Sequence, residues 1–263
     1  MSELFIRRSL DESQLADYRA QGYHCYGPIL TTAGLEQMRR ECMAAWESEK
    51  SAFDPAKTWL ENALLVNIHH RSPIVRSFYF DGPLVEVARQ VIGPNIKAAT
   101  SQLTFKMKGN TRPFPWHQDN GYGELDPYNA ISCLTALDDT DEKNGCLWLI
   151  PGSNRDGQQK HEQRQKAADP AYKVEIGVKA DESKAVPAPM RAGECLFFNC
   201  WTLHKSEGNF SDRDRRILFL RFADADAVEV YNDRRPRLGR LLRGETRFDE
   251  VREFESGMPF DRN

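Results

Sequence analysis

His117 and Asp119 stand two residues apart in the run Trp116-His117-Gln118-Asp119-Asn120, and His204 and Arg215 follow far downstream. On an extended strand, residues i and i+2 point to the same face, so an imidazole and a carboxylate at this spacing can grip one ion together. A helix would need i and i+4. His204 follows the apolar run Cys195-Leu196-Phe197-Phe198, at the end of an expected strand from which it can face back across a barrel. Two imidazoles and one carboxylate on one side of a metal leave the opposite positions open, which suits non-haem iron(II) that activates dioxygen. The His-x-Asp pair alone is a weak signal, because two polar residues on a strand are more often a solvated face.

The surrounding blocks are more specific. His204-Lys205-Ser206-Glu207-Gly208-Asn209-Phe210-Ser211-Asp212-Arg213-Asp214-Arg215 resembles the pattern H-x-S-x-x-N-x-S-x-x-x-R of the phytanoyl-CoA dioxygenase family. The stretches Phe114 to Tyr122 and Asp138 to Ser153 resemble two further blocks of that family, in its order, over roughly residues 95 to 225. The resemblance implies a mainly β fold, a double-stranded β-helix of the jelly-roll or cupin-like kind with N-terminal helices packed outside. It also implies an iron(II)- and 2-oxoglutarate-dependent dioxygenase that consumes O2, with ascorbate as a supporting reductant. By matching position, His117, Asp119 and His204 are the implied catalytic iron ligands. Arg215 is the implied anchor of the distal carboxylate of 2-oxoglutarate, with Arg213 and Arg216 close enough to take its place. Gln102, Thr104 and Ser132 are further candidates for the cosubstrate by the same resemblance, and Asn120, Tyr122, Trp201 and Arg221 are candidate substrate contacts near the ligands. Because Asp119 is present, no ligand position is vacant for a halide, so hydroxylation is expected over halogenation. One departure is Asn154, where many family members have histidine after Pro-Gly-Ser.

Residues 1–95 read as mostly helical. Ser9 to Glu12 fits a capping box for a helix over roughly residues 10–20, ended by Gly22. Thr32 to Glu49 carries an apolar stripe of Leu35, Met38, Met43 and Trp46, and Pro83 to Val91 forms another helix. His69 and His70 read as strand neighbours that face opposite ways and are therefore structural. From Lys97 the period changes to two, and residues 96–225 are expected to form the barrel. Gln102, Thr104, Lys106 and Lys108 share one face, expected to meet solvent, with the barrel lumen as the alternative. Arg215, Ile217, Phe219 and Arg221 share a face of the last strand, and Arg221 is expected in solvent beyond the mouth, since an unpaired buried guanidinium is costly. Asn144-Gly145 reads as a tight turn between antiparallel strands. Residues 154–187 read as a polar rim insertion with a solvated His161, and residues 226–263 as a charged tail over the barrel or a neighbouring subunit.

At 263 residues one domain is expected. The balance of 36 basic and 39 acidic residues, a net charge of -3, argues against nucleic acid or an anionic membrane as partner. No stretch has the length of a membrane span and the N-terminus lacks a secretion signal, so the expected location is cytoplasmic. Six cysteines without zinc spacing read as buried, reduced thiols. A small polar metabolite is the expected substrate, and oligomeric state is open. The competing reading is a non-catalytic or zinc-dependent metal-binding β-barrel, a hydrolase or ligand sensor.

Overall fold

Helix α1 (Glu12–Gln21) begins two residues later than the expected capping box: Asp11 Oδ1 accepts from the Gln14 amide and Gln14 Oε1 accepts from the Asp11 amide. Gly22 closes it in the left-handed region and leads into β1 (Tyr23–Pro28). Helix α2 (Thr32–Glu49) follows, then β2 (Leu64–Val66), α3 (Pro73–Asp81) and α4 (Pro83–Ile92). The computed structural model describes residues 3–49, 64–111, 113–164 and 175–259. Helix α3 escaped the periodicity reading because Ile74, Val75, Phe78, Tyr79 and Phe80 are all buried, which leaves no polar stripe to mark a period.

Apart from β5 and the separate β8-β9 hairpin, the chain then alternates between two facing sheets. Its strands are β3 (Ile96–Lys106), β4 (Phe114–His117), β5 (Leu125–Asp126), β6 (Ile131–Ala136), β7 (Leu147–Leu149), β8 (Glu162–Arg164), β9 (Glu175–Gly177), β10 (Val186–Ala188), β11 (Glu194–Asn199), β12 (His204–Ser206) and β13 (Arg215–Asp224). After the barrel come β14 (Val228–Glu229), β15 (Arg235–Pro236), β16 (Leu241–Arg243) and α5 (Asp249–Glu253). The larger sheet runs β1-β11-β6-β13-β3-β16, with β2 also on β3, and the smaller runs β10-β7-β12-β4. Crossing between sheets at β3–β4, β6–β7, β11–β12 and β12–β13 is the jelly-roll connection. Asn144-Gly145 therefore lies on a crossover and not in a hairpin. Asn144 ends a 3-10 turn capped by Asp141, and Gly145 is left-handed, where a Cβ would lie 2.5 Å from the Glu207 carbonyl oxygen.

One face of the larger sheet is covered by the helices. Met38, Phe78 and Leu84 pack with Leu103, Phe105, Leu218 and Leu220 in a common core, and the Trp46 and Phe105 rings lie 4.9 Å apart. Each such buried large side chain contributes on the order of 1.5–3 kcal/mol. The other face looks into the lumen. Arg215 pairs with Lys106, Ile217 with Thr104, Phe219 with Gln102 and Arg221 with Thr100; β6 supplies Ser132 opposite Arg221. Directly opposed residues share a face. The polar face of β3 expected in solvent is thus luminal: Lys106 is fully buried and Gln102 and Thr104 are half-buried. Arg221 is likewise half-buried and reaches Asn120 instead of bulk water.

The C-terminal segment binds the edge of β3 through β16, and Arg237 Nη2 donates to the Ala99 carbonyl at 3.0 Å. His69 and His70 sit on a 3-10 turn, not a strand, so their rings approach to 4.3 Å and both Nε2 atoms meet Glu255, at 3.2 Å and 2.6 Å. All three line a cavity of about 690 Å³. Five of the six cysteines are buried, but Cys25 is exposed; all are free. Burial raises the Glu255 carboxyl, but its hydrogen bonds to His69 and then His70 outweigh that and hold it low. Its contribution is therefore present above the ordinary glutamate range and lost as pH falls through the depressed value. Glu255→Ala, which leaves two imidazoles without their acceptor, is expected to lower stability by about 1–3 kcal/mol at neutral pH in urea denaturation. An unchanged midpoint would show that the tail is held elsewhere.

Candidate metal centre

The β4–β12 pairing sets His117 and His204 directly opposite each other, with ring centroids 4.1 Å apart. Gln118 is extended (φ -111, ψ 143), so the next side chain returns to the same side, and Asp119 opens a short 3-10 turn there. Asp119 Oδ1 lies 3.5 Å from His204 Nε2 and 3.9 Å from His117 Nε2. A first-row divalent ion bound at about 2.0–2.2 Å from each donor fits between atoms so spaced. The ring orientations also fit. His117 Nδ1 donates to the Pro115 carbonyl at 2.7 Å and His204 Nδ1 to the Thr202 carbonyl at 2.9 Å. A carbonyl only accepts, so each Nδ1 carries the proton and each Nε2 offers its lone pair.

The protonation states suit a cation. Burial, then the charge of His204, pulls the His117 imidazole down to about 3, so it is neutral at physiological pH. Burial raises the Asp119 carboxyl, but the neighbouring His204 and, after it, the Arg221 guanidinium outweigh that and hold it well below the usual carboxylate range. Ser132 donates to Asp119 Oδ2, which turns Oδ1 toward the histidines; in this structure its hydroxyl orients that carboxylate.

Two supports of this turn were invisible in the sequence. Gln118, between the ligands and fully buried, donates to the Gly157 and Trp201 carbonyls at 2.8 and 2.7 Å and accepts from the Gln159 amide at 2.8 Å. His161, expected in solvent, is half-buried: its Nε2 accepts from the Gln118 amide at 2.9 Å while its Nδ1 donates to the Gln159 carbonyl. Its ring fills the space beside Gly121, where a Cβ would lie 2.5 Å from Nε2. The only sequence signal was an isolated histidine among charges.

At the far end of the lumen Arg215 is 4% exposed. Its Nη2 donates to the Gly145 carbonyl at 3.1 Å, and its Nε has no acceptor among the described residues. Burial pulls it down to about 10, still protonated at neutral pH. Its sequence neighbours are already paired, Arg213 with Asp141 and Arg216 through two bonds with Asp138. Lys106, opposite Arg215, rests its ammonium on the Ser206 and Glu207 carbonyls. It was on the sequence-predicted polar face but not among the candidate site residues. Leu149 pairs with His204, Ile217 lies two residues from Arg215 on the same face, and both pack with Leu147 and Phe198 in one apolar cluster. Thr104 Oγ1 donates to the Ile217 carbonyl, and Gln102 lines the same face.

Toward the mouth, Asn120 is buried and its Oδ1 accepts from Arg221 Nη2 at 2.5 Å. Tyr122, 40% exposed, sets its ring edge-on to His117 at 5.2 Å, and Trp201 is half-buried against Tyr128.

Residues 18–217 match the phytanoyl-CoA dioxygenase family model. The chain belongs to this family. Its curated relatives include dioxygenases and a hydroxylase, and its structural neighbours include non-haem 2-oxoglutarate-dependent enzymes. An ectoine dioxygenase of Bordetella parapertussis is 27% identical over 72% of this chain and 65% of its own length. A methylphosphonate hydroxylase of Gimesia maris is 26% identical over 86% of each chain. Among solved structures, the EctD of S. alaskensis with 2-oxoglutarate and 5-hydroxyectoine has a TM-score of 0.69 at 21% identity, covering 93% of this chain and 94% of that one. The non-haem monooxygenase ThoJ reaches 0.72 at 22% identity, covering 88% and 84%. These likenesses show the fold.

His161→Ala, which removes the acceptor of the amide between the two ligands, is expected to weaken cobalt(II) or iron(II) binding about tenfold or more. Competition against a chromogenic chelator measures this, and equal affinity would mean the turn holds its shape unaided.

Proposed function

We propose that this protein is an iron(II)- and 2-oxoglutarate-dependent dioxygenase that hydroxylates an unactivated C–H bond of a small polar molecule. The observation that carries this reading is one lumen holding both a His-Asp-His cluster with its Nε2 lone pairs directed inward and, beyond an apolar stretch, a buried arginine whose Nε has no acceptor among the described residues. His117, Asp119 and His204 would hold the ion. Arg215 would receive the distal carboxylate of 2-oxoglutarate, a group whose fork geometry matches a guanidinium. Once bound, the iron and 2-oxoglutarate turn O2 into an oxidant able to attack an unactivated C–H bond, with succinate and CO2 released.

The chain's own part is placement. The Pro115 and Thr202 carbonyls fix the imidazole tautomers, and Ser132 fixes the carboxylate. Leu149, Phe198 and Ile217 keep water from the path between triad and arginine, which strengthens the ionic contacts at both ends. Lys106 adds a second luminal nitrogen at the Arg215 end. The shared packing of helices and sheet supports reading the chain as a single oxygenase domain.

Asp119→Ala is expected to abolish succinate formation from 2-oxoglutarate under air, and near wild-type turnover would sink the ligand assignment. For Arg215→Ala the expected change is mainly in the 2-oxoglutarate concentration needed for half-maximal turnover, raised about tenfold or more by loss of a charge-assisted fork. An unchanged requirement would transfer the role to another cation.

A further inference from the structure

Resting on that reading, we propose that Arg221, steadied by Asn120, receives an oxyanion group of the prime substrate, so that the molecule oxidised is a carboxylate or a phosphonate or phosphate. Arg221 lies on the luminal face of β13, six residues from Arg215, or roughly 20 Å along an extended strand. The two guanidiniums serve opposite ends of the lumen: Arg215 reaches Gly145, while Arg221 reaches Asn120, the residue after Asp119. One anion of the size of 2-oxoglutarate cannot occupy both.

The charges around Arg221 leave it uncompensated. Among the described residues no carboxylate forms an ion pair with it; its one acceptor is the neutral Asn120 Oδ1, and its buried Nε has none. The carboxylate that feels its charge is Asp119. With the site loaded, Asp119 and the proximal carboxylate of 2-oxoglutarate balance the two charges of iron(II), and the distal carboxylate balances Arg215. Arg221 is then a surplus cation inside a low-dielectric lumen, and any charge on Lys106 adds to the surplus. Such a group is tolerated where a partner arrives to neutralise it. Asn120 holds Nη2 on one side, which leaves Nε and the remaining N–H groups for a forked anion beside the triad. That placement would also fix the distance from the anion to the carbon that reacts.

The test uses the protein loaded with iron(II) and 2-oxoglutarate under argon, so that Arg215 is already engaged. Methylphosphonate and butyrate are titrated by calorimetry, with butyramide as the uncharged control, into wild type, Arg221→Gln and Arg221→Lys. The 2-oxoglutarate-to-iron charge-transfer band is recorded alongside. The expected result is anion binding by wild type that weakens about tenfold or more in Arg221→Gln and is partly restored in Arg221→Lys, with no effect on butyramide and the band kept in all three. Tighter methylphosphonate than butyrate assigns a phosphonate or phosphate head, and the reverse order a carboxylate. Equal anion binding by wild type and Arg221→Gln with the band intact overturns the proposal, as does a wild type that binds neither anion. A wild type without the band overturns the oxygenase reading itself.

Discussion

The site depends on a backbone constraint: one extended residue, Gln118, held between two side chains that must face the same way. If that residue turned, Asp119 would leave the face on which His117 and His204 meet, and no other carboxylate among the described residues could replace it. The structure holds Gln118 from two sides, by three hydrogen bonds to its amide side chain and by the His161 ring on its backbone N–H. The strand pairing that sets His117 opposite His204 does the rest. Much of the rim around residues 157–161 therefore has a reason to be where it is: it braces the turn that carries Asp119.

A second constraint is the cost of charge in a dry lumen. Lys106, Arg215 and Arg221 all face inward on paired strands, yet each is met differently. Among the described residues, Lys106 rests on backbone carbonyls, Arg215 keeps one carbonyl and an unpaired Nε, and Arg221 has a neutral amide. Burying such groups without partners is destabilising, so on the proposed reading the lumen would take anions as well as a metal. The helices and the C-terminal segment complete this by covering the outer face and one edge of the larger sheet.

Two of the relatives this chain matches are named for ectoine and for methylphosphonate. On the proposed reading, selection among such substrates would fall to the mouth: the side chains after Asp119, the rim aromatics Tyr122 and Trp201, and the inward cation at position 221.

The sequence by itself determined the metal-binding residue types, their spacing and the block pattern around them, because His-x-Asp on an extended chain and the run from His204 to Arg215 are local features. It also determined the alternation along Ile217 to Leu220, since period two follows from the pleat alone. Only the tertiary structure decided which alternating face looks inward. Gln102, Thr104 and Lys106 are as polar as any solvated face, and their burial follows from the helices occupying the opposite side of the sheet. The same holds for Arg221, for His69 and His70 converging on Glu255 across 185 residues of sequence, and for His161 bracing Gln118. Each owes its partner to long-range packing, and a polar side chain carries no mark of whether its partner is water or a residue brought from far along the chain.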